Sequence, residues 1–213
     1  ILQKKVGTKK YLDLTTYKAK HLYEDWVKQG IHLANHVCAV ASKLYSFAID
    51  MGYAELNPFT GVKKKTPEQR KVVWTEQDIV QFLDYAYSKV ESRSVGLIVH
   101  MAYEWCQRVG DMRTLKWNNI DFKNKRLMLE QSKRRSHVHL PINDDLLEML
   151  QQQHNEFGFQ PYVAPSVVPT DGVYEPYSIF ALSKKGRAIM KQAGLSDELR
   201  LMDLRRTGTT EMV

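Results

Sequence analysis

Two cysteines in 213 residues, Cys38 and Cys106, are too few for a disulfide framework. Each falls inside a helical apolar pattern, so both read as reduced core thiols, which fits an intracellular compartment. No apolar run approaches the ~20 residues of a membrane-spanning helix, and no signal-peptide pattern opens the chain. Internal repeats and low-complexity tracts are missing too, which sets repeat architectures aside. Acidic side chains are in short supply, 24 against 31 Lys and Arg, leaving a formal charge of +7. That imbalance points to nucleic acid or another anionic partner; a merely solvated basic surface is the competing reading. An initiating methionine is absent as well, so the chain, which opens at Ile1, reads as a piece of something longer.

A chain this long buries roughly 70% of its unfolded surface and makes one or two domains. Ala19, Leu22, Tyr23, Trp26 and Val27 repeat as one helix face, stopped by Gly30. Val37, Val40, Ala41, Leu44 and Ala48 mark a second helix, stopped by Gly52. "LNPFTGVKKKTPEQRK" then combines two prolines, a glycine and five basic residues, which reads as an interdomain linker. Thr75-x-x-Asp78 caps a helix bearing Ile79, Phe82, Leu83 and Ala86, and another runs through Val95, Ile98, Val99 and Ala102. In "IDFKNKRLMLEQSKRRSHVHLPI", short apolar runs broken by polar turns predict a small antiparallel sheet. Helical spacing returns at Leu146, Leu147 and Leu150. After a Pro-punctuated loop it returns again from about Ser178 to Ala193. The expected fold is mainly α: a small helical domain (1–62), a basic linker (63–73), and a mostly helical domain with a small antiparallel sheet (74–213).

Three stretches carry candidate chemistry. In "LMDLRRTGTTEMV", Asp203 is placed to cap a helix whose first turn holds Arg205, where free N–H groups and the helix dipole favour an anion. In "WCQRVGDMRTLKW", Arg108 lies three residues before Asp111, a spacing that puts both on one helix face, so that the carboxylate fixes the guanidinium. An ordinary salt bridge is the bland alternative. In "LEQSKRRSHVHLPI", Lys133, Arg134 and Arg135 form a basic turn between two strand-like runs, suited to a groove or a phosphate. Nothing apolar anchors residues 131–136, so the turn is expected to be mobile without DNA.

Taken in order, these stretches resemble the tyrosine recombinase (phage integrase) family. "CQRVGDMRTLKWNNIDF" resembles its first arginine box, "QSKRRSHVHLPI" its β-hairpin lysine segment, and "MDLRRTGTT" its second arginine box. The pattern ending in "YSFAIDMGYAELNPF" is similar to its core-binding domain. The resemblance implies a site-specific recombinase in which a tyrosine attacks a DNA phosphodiester, forming a 3′-phosphotyrosyl link and releasing a 5′-hydroxyl, with no metal or nucleotide cofactor. It implies that Arg108 and Arg205 clamp the non-bridging oxygens, that Lys133 is the general acid, and that Asp111 supports the arginines. Lys43, Lys63, Lys64, Lys65, Arg134, Arg135 and Arg206 are its implied DNA contacts. The implied partners are double-stranded DNA, further copies in a tetramer on DNA, and accessory DNA-bending proteins, in the cytoplasm of a bacterial cell serving a phage or mobile element.

Two departures stand out. The family usually has a histidine three residues before the second arginine, where this chain has Met202, a side chain that transfers no proton. The family's attacking tyrosine follows tens of residues beyond the second arginine, and none of the eleven tyrosines here occupies that place. The sequence is therefore expected to stop inside the catalytic domain. His137 and His139 share a strand face without the further ligands that zinc needs. Trp26, Trp74, Trp105 and Trp117 read as structural. The leading alternative is a non-catalytic DNA-binding relative, which Met202 favours. A type IB topoisomerase shares the clamp, but Asn57-Pro58 after a small helical domain argues for the recombinase. A purely structural basic protein explains the charge and not the three ordered boxes.

Overall fold

The computed structural model describes residues 13–132 and 136–211. Its contacts divide the chain into two compact units, Ile1–Arg70 and Lys71–Val213.

In the first unit, helix α1 (Thr16–Val27) packs on α2 (Ile31–Asp50). The Thr15 hydroxyl accepts the Lys18 N–H to open α1, and Gly30, at φ 136°, makes a turn that a side chain would resist. Ala19, Tyr23 and Trp26 of α1 bury against Ala34, Val37, Cys38 and Ala41 of α2, with Phe59 and Val62 closing the cluster. The α1 face matches the one read from periodicity. The α2 face needs correcting, because Val40 and Leu44 are exposed. The buried stripe runs 34, 37, 38, 41, and Val40 and Leu44 stand to one side of it, with Phe47 and Met51 also exposed. Of the 63–73 stretch, Lys65 is fastened to the helical unit: its N–H donates to Tyr23 Oη (2.7 Å) and its carbonyl accepts from Asn35 Nδ2 (2.9 Å).

The second unit is built around one helix. Its described elements are α3 (Glu76–Tyr87), α4 (Val90–Glu104), α5 (Val109–Arg113), strands β1 (Ile120–Asp121), β2 (Arg126–Glu130) and β3 (His137–Pro141), then α6 (Asp144–Phe157), α7 (Ile179–Gln192) and α8 (Leu204–Glu211). Every residue of α4 from Ser92 to Ala102 is buried, because α3, α5, α6, α7 and α8 all pack on it. A helix enclosed on all sides must satisfy its polar groups internally. The two Nη groups of Arg93 do so through a two-pronged pair with Glu156 (2.7 and 2.5 Å), Ser92 by donating to the Ala86 carbonyl, and His100 through Tyr87 Oη (3.0 Å), while Arg93 Nε is buried without a partner among the described residues.

The chain punctuation follows its chemistry. Thr75 and Asp78 form the expected reciprocal cap on α3, Asn143 caps α6 and Ser178 caps α7. The sheet is antiparallel in the order β1-β2-β3, with Leu127 opposite Leu140 and Glu130 opposite His137. Leu127 is its buried anchor in the core. The mainly helical class with one small antiparallel sheet is as expected from the sequence. No described helix is long and apolar enough to cross a membrane.

Candidate functional site

The site begins where α4 ends. Cys106 takes a left-handed conformation (φ 49°), its N–H donates to the Tyr103 carbonyl, and the Gln107 N–H donates to the Ala102 carbonyl. This pair of bonds is a Schellman stop, a role usually filled by glycine, and it turns the chain sharply. Arg108 follows immediately with extended backbone (φ −69°, ψ 134°) as the residue preceding α5. Its carbonyl accepts the N–H groups of Asp111 (2.9 Å) and Met112 (3.1 Å), so the backbone itself seats the arginine on the helix end. Arg108 therefore lies outside the helix that its spacing to Asp111 implied, because the Schellman turn interrupts helical geometry just before it. The pairing survives in another form. Arg108 Nη1 lies 3.7 Å from Asp111 Oδ2, and both atoms are buried without a hydrogen-bond partner among the described residues. The Asp111 side chain is 4% exposed and that of Arg108 29%, so a buried carboxylate steers a guanidinium that still reaches the surface.

The β2–β3 hairpin is tied to this turn at several points. Trp105 Nε1 donates to the Pro141 carbonyl at the end of β3 (3.0 Å). Past β2, Gln131 Nε2 donates to Gln107 Oε1 (2.6 Å), and the Ser132 hydroxyl donates to Asp111 Oδ1. The Gln131 N–H donates to the Ser136 carbonyl (2.9 Å), closing the base of the turn. Lys133, Arg134 and Arg135 lie outside the described residues. The flanks of their turn carry no apolar anchor, as read from the sequence, yet Gln131, Ser132 and Ser136 are held by hydrogen bonds. The anchors are buried amides and a hydroxyl instead of apolar groups, and an apolarity count does not register them.

Arg205 stands in the first turn of α8. Asp203 directly precedes that helix and is buried. Its carboxylate accepts the N–H of Arg200 (3.1 Å), closing the short 3-10 turn Leu201–Asp203. Thr207, one turn into α8, accepts the Trp74 N–H (3.0 Å) and donates to the Asp203 carbonyl (3.2 Å). Gly208 decides how closely α8 lies on α4: a Cβ there would sit 2.5 Å from the Tyr103 carbonyl oxygen and 2.7 Å from Cys106 Sγ. Arg205 and Gly208 are three apart and so share a helix side, and Gly208 packs on the end of α4 from which the Arg108 turn departs.

The other expected site residues are scattered. Met202 is 71% exposed on the turn before α8. Lys43, Lys63 and Lys64 are exposed in the first unit, while Lys65 pairs with Glu24 (2.6 Å). Arg206 is exposed and donates from Nη1 to the Val72 carbonyl (3.3 Å). His137 and His139 lie on β3, both exposed, and no group of three metal-ligating side chains occurs among the described residues. Gln107, Gln131, Ser132 and Gly208 were not singled out from the sequence. Their only signal was adjacency to the charged boxes.

Two arginines thus stand at the starts of two helices that pack on one buried helix, and the β2–β3 hairpin is tied to the turn that carries the first of them. The chain belongs to the phage integrase family, whose model matches residues 73–213. It is 31% identical over 94 residues to a XerC-like tyrosine recombinase of Caldanaerobacter subterraneus subsp. tengcongensis, a match covering 41% of this chain and 23% of that protein. Its fold resembles lambda integrase (residues 75–356), solved as a dimer bound to a COC′ core site. The TM-score is 0.75 at 23% identity, over 94% of this chain and 74% of that one. It also resembles the Tn1549 transposon integrase in complex with circular intermediate DNA, with a TM-score of 0.72 at 14% identity, over 99% of this chain and 76% of that one.

Proposed function

We propose that this chain is part of a site-specific DNA recombinase that cleaves and rejoins strands through a 3′-phosphotyrosyl intermediate, integrating or excising phage or mobile-element DNA. The observation that carries the reading is the seating of Arg108: a backbone turn delivers it, a buried Asp111 steers it, and it remains part-exposed. Arg108 and Arg205 neutralise the charge that builds on the non-bridging oxygens, and a donor fixed before the reaction reorganises little during it. Lys133 protonates the leaving 5′-oxygen, and Asp111 holds the clamp. Lys43, Lys63, Lys64, Lys65, Arg134, Arg135 and Arg206 contact the duplex backbone. The enzyme uses no metal or nucleotide cofactor. It works as a tetramer on DNA in the bacterial cytoplasm, as lambda integrase has been solved as a tetramer on a Holliday junction, and accessory DNA-bending proteins assist it.

Arg108→Ala and Arg205→Ala test this in the complete gene product. Losing one preorganised donor costs about 10²–10³ in rate. Each variant should lose covalent protein–DNA adduct while keeping most of its DNA affinity. Adduct formation at the parent rate in both would overturn the site. The exposed Met202 favours a non-catalytic DNA-binding relative, and a parent protein that binds duplex DNA and forms no adduct would establish that second reading.

A further inference from the structure

We propose that Gln107 and Gln131 are positioning residues, a clasp that sets the register of the β2–β3 turn against the arginine junction. The inference rests on the recombinase reading above. Both side chains are more than nine-tenths buried, and they lie 24 positions apart in sequence. The Gln131 amide donates to Gln107 Oε1 at 2.6 Å, and Gln107 Nε2 donates onward to the Trp105 carbonyl at 2.8 Å. Beside them, Ser132 donates to the same Asp111 that faces Arg108. Two adjacent hairpin residues are therefore fixed to the two sides of Arg108 in sequence.

Burying two primary amides is costly unless both are paired, and an apolar pair would fill the space more readily. What the amides supply is selectivity. A one-residue slip of a hairpin turns every side chain to the opposite face. Glu130 or Ser132 at the Gln131 position would leave Gln107 Oε1 facing an anion or a side chain too short to reach it. The amide bond thus exists only in the observed register, in which β2 ends at Glu130 opposite His137. Register matters because the turn holds three cations in succession, Lys133, Arg134 and Arg135, of which one is the acid.

The test uses Gln→Met variants, which keep side-chain length and remove the hydrogen bond. Single variants break the amide pair and leave its buried groups unmatched; the double variant Gln107→Met/Gln131→Met removes both amides, takes one donor from the Trp105 carbonyl, and should melt within a few degrees of the parent. On ordinary duplex DNA the double variant should form adduct about 10- to 100-fold more slowly, since displacement of a catalytic group by ~1 Å has that scale of effect. On DNA with sulfur at the bridging 5′ position, whose leaving group needs no proton, it should react at the parent rate. Parent-like rates on ordinary DNA, or equal slowing on both substrates with a parent-like melting temperature, would overturn the clasp. Lys133→Ala separates this from the underlying reading. If sulfur rescues Lys133→Ala and not the double variant, the clasp alone fails. If sulfur does not rescue Lys133→Ala, the general-acid assignment fails and takes the clasp's role with it.

Discussion

Replacing Gly208 by alanine should damage chemistry far more than stability. A Cβ at this position would stand 2.5 Å from the Tyr103 carbonyl oxygen and 2.7 Å from Cys106 Sγ, where ordinary contact begins at 3.4 Å. The carbonyl belongs to the last turn of α4 and cannot swing away, so α8 must retreat by close to an ångström. Overpacking of this kind costs about 1–3 kcal/mol, and exchanging glycine for alanine inside a helix returns about 1 kcal/mol. The net loss is then about 0–2 kcal/mol, a fall of at most several degrees in melting temperature. Arg205 rides on the same helix, and a shift of ~1 Å in a positioning group costs on the order of 10²-fold in rate. Gly110→Ala is the control, because a Cβ there meets nothing within 4 Å. The assay is adduct formation by the complete gene product, alongside thermal melting of both variants. A Gly208→Ala protein that reacts at the parent rate would refute the claim that this contact seats Arg205.

DNA binding by this chain should weaken steeply with salt, each phosphate contact adding about −0.9 to the log–log slope; a flat titration would remove the basic surface from the account. Glu156→Ala should destabilise the second unit by roughly 2–3 kcal/mol, less than a fully buried pair because Glu156 is half-exposed, and Arg93→Met/Glu156→Leu should recover most of that loss on thermal melting. His100, whose Nε2 lies 3.8 Å from Glu104 Oε1, holds the Glu104 carboxyl below its ordinary value. A depressed carboxylate contributes stability above its unfolded pKa and loses it as pH falls through the folded value, so the parent should lose stability below about pH 4, and Glu104→Gln less steeply. Identical acid limbs for the two proteins would contradict that.

Much of the architecture was legible because it rests on local chemistry. The faces of α1 and α3, the presence of α4, the Thr75–Asp78 cap and the hairpin follow from period and punctuation within a dozen residues, whereas the burial of α4 on every side does not. The arginine boxes were legible as ordered charged motifs. The features that seat them were not, since each joins residues far apart in sequence: Gly208 to Tyr103, Gln131 to Gln107, Ser132 to Asp111. The left-handed Cys106 was hidden for another reason, as glycine is the usual residue at that stop and cysteine in an apolar run reads only as core. Val40 and Leu44 misled because apolar residues flanking a buried stripe look like part of it.

The central claim is tested most directly by looking for the covalent intermediate itself. The complete gene product, expressed in cells that hold its own target DNA, is recovered under denaturing conditions and its attached nucleotides are mapped. The account predicts DNA joined through a 3′-phosphate to a tyrosine, lost in Arg108→Ala and in Arg205→Ala. Protein that binds DNA and carries no linked nucleotide, or linkage through a 5′-phosphate, would contradict it.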